Sequence, residues 1–191
     1  MIVMTPFVLF ITFIVVQRIV ELFVAKRNEI WIKQQGAVEF GEKHYKFMVL
    51  IHMMFFISLL TETLLFKRGI SPLWPVFLSL FALAQVVRIW VITSLGRYWN
   101  TKILVLAKAK IVRKGPYRYL KHPNYMVVAL ELFAVPMLFS SYFTAILFTI
   151  LNILILMIRI PIEEKALKTL TEYDDTFRDC HRFIPKIVKK L

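Results

Sequence analysis

The chain has a single cysteine, Cys180, which excludes an intrachain disulfide and any metal cage built from cysteine. Its five glycines, Gly36, Gly41, Gly69, Gly96 and Gly115, form neither a G-x-G-x-x-G nor a G-x-x-x-x-G-K-[ST] loop, so the dinucleotide and P-loop phosphate cradles are excluded. The four histidines, His44, His52, His122 and His181, show no ligand-like pairing, and no metal site is expected. Acid is scarce as well: 12 Asp and Glu stand against 25 Lys and Arg, a net charge of +13. What is abundant is apolar. Of the 191 residues 59% are hydrophobic, and the mean hydropathy is +0.66. A soluble domain is roughly 45–50% apolar even with glycine counted, so this excess calls for an apolar solvent.

A membrane-crossing helix needs about 20 mostly apolar residues. The first such stretch runs from Met1 to about Ala25, the second from about Tyr45 to Phe66, and the third from about Pro72 to Leu95 with Arg88 inside it. From Asn124 to Ile158 only Glu131 is charged. As one helix that region would be roughly 52 Å long, far beyond a ~30 Å hydrocarbon core. Pro136, Ser140, Ser141 and Tyr142 supply a break, which predicts a helical hairpin. The expected fold is all-α and polytopic, with about five spans, the last two a hairpin, plus a cytoplasmic C-terminal helix, in a single domain over 1–191.

Lys and Arg in short loops stay on the cytoplasmic side. Residues 26–46, 96–122 and 159–191 carry five, eight and eight of them, 21 of the 25, and five spans put these segments on one face. The N-terminus is therefore expected outside the cell membrane and the C-terminus inside. The positive charge is read as this bias, with anionic lipids as its partner and no nucleic acid. The first stretch lacks a basic leader and a cleavage site, so it reads as a retained span, and the terminal Val188-Lys189-Lys190-Leu191 is no lipidation motif.

Polar groups inside a membrane are costly, and they mark function. Arg18 and Glu21 share a helical face and read as an ion pair. Arg88 needs an acid such as Glu62 or Glu131, or a polar cavity to face. The densest polar stretch is Gly96 to Tyr125, which the hairpin brings back beside Arg159, Glu163 and Glu164. Gly115-Pro116 is a turn signal, and His122 before Pro123 avoids the α region just ahead of a helix. Lys108, Lys110, Arg113 and Lys114 read mainly as solvated charge, and Glu163 and Glu164 also fit the start of a cytoplasmic helix. Leu167, Leu170, Tyr173 and Phe177 recur at helical spacing as a packing stripe.

On these residues the chain resembles the integral-membrane isoprenylcysteine carboxyl methyltransferase family, in its bacterial form. The match is Gly115-Pro116-Tyr117, then Lys121-His122-Pro123-Asn124-Tyr125, then Arg159, Glu163, Glu164, Leu167 and Tyr173, with Arg18, Glu21, Arg27, Asn28, Leu95, Gly96 and Trp99 in support. It is sharpest over 95–177. The family's usual arginine before His-Pro is Lys121 here, which loses a bidentate fork, and Val127 and Phe177 also depart from its pattern. The resemblance implies a membrane methyltransferase using S-adenosylmethionine without a Rossmann fold. Ala109, Lys110, Ile111, Val112 and Tyr117 would line the adenosyl group, and Lys121, His122, Pro123, Asn124 and Tyr125 its polar end. Glu163 would take a ribose hydroxyl or the ammonium, with Glu164 beside it among the cofactor-binding residues. Arg159 would orient an anionic acceptor oxygen, and a phenol as acceptor would need a base, for which His122, Glu163 and Glu164 are the candidates. The acceptor it implies is lipophilic, either isoprenylcysteine-like or a lipid-like polyketide such as an alkylpyrone or alkylresorcinol. Two other readings stay open: an NADPH-dependent membrane reductase of the sterol-reductase type, with Lys108, Lys110 and Arg113 on a 2′-phosphate, and a non-catalytic scaffold.

Overall fold

In a hydrocarbon solvent every backbone N–H and C=O must be satisfied within its own segment, which leaves long helices as the economical solution for these apolar runs. The computed structural model describes residues 4–183. The first three residues of the expected leading span and the terminal Lys189-Lys190 lie outside them. Four helices are long and apolar enough to cross a membrane, and a fifth apolar helix is shorter, so the chain is a multi-pass membrane protein. They are α1 (Met4–Gln34), α2 (Glu42–Leu65), α3 (Trp74–Leu95), the short α4 (Pro123–Leu138) and α5 (Tyr142–Leu170). A five-residue α6 (Tyr173–Phe177) follows, and β1 (Val38–Phe40) pairs antiparallel with β2 (Ile103–Val105). Large apolar side chains on the outer faces, such as Phe23, Leu65 and Met157, are exposed. Lipid, unlike water, solvates them without penalty.

The hairpin forms where proline and serine interrupt the apolar run. Pro136 lies in the last turn of α4, Ser140 takes a left-handed φ of 53°, and α5 starts two residues on. Glu62 of α2 stabilises that start. Its buried carboxylate accepts the N–H of Phe143 (3.2 Å) and of Thr144 (2.8 Å) and the Thr144 hydroxyl (2.8 Å), as an acid at a helix N-terminus should. Glu62 is thereby committed at the far end of the bundle, and Arg88 takes Glu131 instead. Arg88 also meets Glu21 at 2.9 Å, and Arg18 bonds both Glu21 (2.5 Å) and Glu131 (2.9 Å). The expected Arg18–Glu21 pair is thus half of a four-charge cluster that ties α1, α3 and α4 together. Phe7, Phe55, Leu59, Phe81, Leu132 and Phe148 pack the core on its outer side.

At the other end two helices run on past the hydrocarbon. At about 1.5 Å per residue the 31 residues of α1 span roughly 46 Å, so its last turns, with Lys26, Arg27, Glu29 and Lys33, emerge from the core. Likewise α5 continues through Pro161 to Leu170. Glu163 and Glu164 therefore sit in its last turns and do not begin a separate helix; α6 starts only at Tyr173. The stripe of Leu167, Leu170, Tyr173 and Phe177 is split between α5 and α6, yet Tyr173 and Phe177 are both buried, beside Trp99 and Tyr117. The β1–β2 pairing and a bridge between Leu120 and His181 bring the three basic segments to one end of the molecule.

Candidate active site

The site is assembled at that basic end from α1, α4, α5 and the irregular chain between α3 and α4. After α3 a 3-10 turn over Gly96–Tyr98 delivers Trp99, and α1 pins it: Asn28 Nδ2 donates to the carbonyls of Trp99 (2.8 Å) and Gly96 (3.2 Å). Asn100 Nδ2 returns a bond to the Ala25 carbonyl (3.1 Å). A second 3-10 turn, Gly115–Arg118, presses against α3, since a Cβ on Gly115 would lie 2.1 Å from Ser94 Oγ; this and a φ of 54° require glycine. It seats Tyr117, which is buried, and burial holds the phenol neutral by raising its pKa.

His122 takes φ −128° and ψ 56°, outside the α region as its following proline demands, and Pro123 opens α4. The imidazole is buried, stacked at 5.4 Å on Tyr125, with Nε2 at 3.0 Å from Glu164. Arg182 closes on the same carboxylate at 2.6 and 2.9 Å. Across from them Tyr125 links two partners. Its hydroxyl accepts from Arg159 Nε (2.7 Å) and donates to Glu163 in a short bond. Arg159 Nη2 donates to the Thr101 carbonyl (2.6 Å), so the guanidinium is held on two sides while Nη1 has no partner among the described residues.

Trp99, Thr101, Tyr117, His122, Tyr125, Arg159 and Glu163 face a cavity of about 440 Å³, within the range of small-molecule sites. The part at the basic end is lined by the Ala109–Val112 segment, Tyr117, Lys121, Asn124, Glu163 and Tyr173. Its inner part runs between helices past Ile14, Phe55, Phe81 and Leu132. Four buried polar atoms in its walls have no partner among the described residues: Arg159 Nη1, Asn124 Oδ1, Trp99 Nε1 and the Tyr173 hydroxyl. Buried polar groups are normally paired, so four such atoms around one cavity mark a ligand position. Three are donors and one an acceptor. With a carboxylate at Glu163 and aromatic faces at Tyr117 and Tyr125, they suit a zwitterionic ligand with hydroxyls and a cationic centre.

A family model for the isoprenylcysteine carboxyl methyltransferase (ICMT) family matches residues 77–169. The chain is 46% identical over 162 residues to the uncharacterized protein YpbQ of Bacillus subtilis strain 168, covering 85% of this chain and 96% of that protein. It belongs to the ICMT family. An uncharacterized protein of Haemophilus influenzae is 26% identical over 80% of this chain and 90% of its own length. The fold matches that of the eukaryotic intramembrane Ras methyltransferase ICMT with a TM-score of 0.58 at 21% identity, over 77% of this chain. The chain spans about half, 54%, of that longer protein.

Within this ICMT-family fold the anticipated residues divide. Ala109, Lys110, Ile111, Val112, Tyr117, Lys121, His122, Asn124, Tyr125, Arg159 and Glu163 all line the one cavity. Two do not. Pro123 is buried beneath the wall and shapes the turn. Glu164, expected beside Glu163 on the cofactor, faces the other way: successive residues of a helix diverge by about 100°, and its oxygens are taken by His122 and Arg182. It orients the imidazole. Arg113, a candidate for a 2′-phosphate clamp, is committed to the Thr176 carbonyl (2.8 Å) and to Cys180. Sequence reasoning passed over Thr101, whose carbonyl anchors Arg159, because a backbone acceptor leaves no mark on residue type. Tyr45, 3.3 Å from the Thr101 hydroxyl, gave no signal either.

Proposed function

We propose that this chain is an S-adenosylmethionine-dependent O-methyltransferase of the cell membrane, acting on a carboxylate or acidic hydroxyl of a lipophilic acceptor. The observation that carries the reading is the set of four unpartnered buried polar atoms around one cavity that also holds Glu163, Tyr117 and Tyr125. The segment responsible falls within 95–177. The basic end faces the cytosol with the N-terminus outside, since 21 of 25 basic residues belong to the three segments gathered there, where anionic lipids meet them.

Ala109–Val112 and Tyr117 would flank the adenosyl group, Lys121, His122 and Asn124 would meet its polar end, and Glu163 would take the ammonium or a ribose hydroxyl. The bound cofactor supplies a methyl group on a sulfonium. What the protein adds is alignment, and fixing two reactants in line can contribute roughly 7–11 kcal/mol. Arg159 directs its free Nη1 at the acceptor oxygen while Tyr125 and Thr101 hold the rest of the guanidinium. A carboxylate arrives ionised and needs no base. An acidic hydroxyl gives its proton to His122, which Glu164 orients. The inner cavity, walled in part by Ile14, Phe55, Phe81 and Leu132, takes the acceptor's tail, whether isoprenylcysteine-like or that of an alkylpyrone or alkylresorcinol, and the exclusion of bulk water favours a step in which opposite charges cancel.

The test is binding of S-adenosylmethionine, its demethylated product and NADPH to detergent-purified protein, alongside Glu163→Ala and His122→Ala. Sulfonium binding that both variants lose while still folded supports the reading. NADPH binding instead would establish the reductase, and neither ligand the scaffold.

A further inference from the structure

The cavity has a second polar level, deeper in the membrane. Tyr45, Tyr125 and Arg159 form the first. Seven residues along α2 from Tyr45 stands His52, six along α4 from Tyr125 stands Glu131, and seven back along α5 from Arg159 stands Asn152. At about 1.5 Å per residue each lies roughly 9–10.5 Å further from the cytosolic end. All three line the cavity, together with Arg18 and Arg88.

The charges at this level are closed on themselves. Arg18 and Arg88 each bond both Glu21 and Glu131, two cations against two anions. A further ion here would stand uncompensated in hydrocarbon, whereas a neutral hydrogen-bonding group would not. The open valences belong to His52 and Asn152. His52 Nδ1 lies 2.7 Å from the Met48 carbonyl. A carbonyl only accepts, so Nδ1 donates, and the neutral ring keeps its lone pair on Nε2. Neither Nε2 nor the Asn152 amide makes a hydrogen bond among the described residues, although Asn152 is only 3% exposed. A plain hydrocarbon tail passing this level would leave both unpaired.

We propose that His52 and Asn152 form a second binding station in the acceptor pocket, which takes a neutral hydroxyl carried on the acceptor's chain about two helical turns deeper than the reacting oxygen. The hydroxyl donates to His52 Nε2 and accepts from the Asn152 amide. The inference rests on the methyltransferase reading for the place of the reacting oxygen at Arg159, and it names the acceptor class: a long-chain amphiphile with an anionic or acidic head and a mid-chain hydroxyl.

The experiment is calorimetric binding of stearate and of its monohydroxy positional series to the detergent-purified full chain, with S-adenosylmethionine binding measured in the same samples. One mid-chain position is expected to bind about tenfold more tightly than stearate, the worth of a net hydrogen bond at an otherwise unpaired site. That ratio is expected to collapse toward one in His52→Phe and in Asn152→Leu. A flat series in the parent protein overturns the proposal, as does a preference that survives both substitutions, or no binding of the series at all. Those results leave S-adenosylmethionine binding in place, whereas its absence from the parent protein removes the underlying reading too. The positional series in the parent protein decides the matter even if one variant does not fold.

Discussion

Replacing Glu131 by glutamine tests whether the charge cluster is held by balance or by shape. Glu131 is 8% exposed and accepts from Arg18 Nη2 at 2.9 Å to each oxygen, from Gln85 Nε2 at 2.6 Å, and from Arg88 through Nε (2.9 Å) and a short Nη2 contact. The amide preserves the volume, turns one acceptor into a donor facing a guanidinium, and leaves two buried cations on the single carboxylate of Glu21. Breaking a buried ionic network by removing one partner costs about 3–5 kcal/mol. For a chain of this length each kcal/mol moves the unfolding midpoint by about 2–4 °C, so the lower bound of the cost corresponds to a fall of about 6–12 °C. Thermal unfolding in detergent, followed by tryptophan fluorescence, measures it. Adding Arg18→Met to Glu131→Gln restores one cation against one anion, Arg88 with Glu21, and is expected to recover at least half of the loss. A single variant within about 2 °C of the parent, or a double variant less stable than the single, would refute the charge-balance argument.

Three further outcomes follow from the same geometry. Tyr125→Phe removes the hydroxyl that joins Arg159 to Glu163; it is expected to lower kcat for methyl transfer about 10–100-fold, the usual cost of losing an orienting partner, with S-adenosylmethionine binding changed far less. Asn28→Leu unpins the turn that carries Trp99 and is expected to cost about 1–3 kcal/mol in denaturant unfolding, because the buried bond to the Trp99 carbonyl and the part-buried one to the Gly96 carbonyl are both lost. At the basic end of the molecule Lys33 and Lys102 hold the Glu39 carboxyl below its usual range against the opposing effect of burial. A depressed carboxyl contributes stability that is present above its unfolded value of about 4.3 and is lost as pH falls through the folded value, so Glu39→Gln is expected to flatten the acid limb of the midpoint-against-pH curve. The Lys102 pKa is raised, first by its bond to Glu29, so its contribution is present below its unfolded value of about 10.4 and is lost only as pH rises beyond it; Lys102→Met is expected to flatten the alkaline limb.

Much of this architecture is written locally in the chain. The apolar runs and the Pro136–Tyr142 break specify the helices and the hairpin, because a bilayer admits few other solutions for such segments. The order Gly115-Pro116-Tyr117, Lys121-His122-Pro123-Asn124-Tyr125, Arg159 and Glu163 marked the candidate site, since turn chemistry at Gly115 and the X-Pro restriction at His122 act within a few residues. Helix ends were less legible. Both α1 and α5 run past the boundaries that hydropathy suggests, because a helix leaving the membrane keeps its hydrogen bonds whether its side chains are apolar or charged.

Partner choice was decided only in three dimensions. Sequence leaves Arg88 with Glu62, Glu131 or a polar cavity; the hairpin's placement of Glu62 at the start of α5 assigns Glu131, the crossing of α1 adds Arg18 and Glu21, and the cluster borders the cavity. Glu163 and Glu164 are indistinguishable as neighbours in a list, yet the helical twist of α5 points one at Tyr125 in the cavity and the other at His122 and Arg182. The four cavity atoms without a partner among the described residues come from loops and helices up to 74 residues apart, Trp99 to Tyr173. Composition and local pattern determined that the chain crosses a membrane and where its polar chemistry concentrates. Which polar atoms are satisfied and which are left open is a property of packing, because it depends on distances between segments that no local pattern encodes.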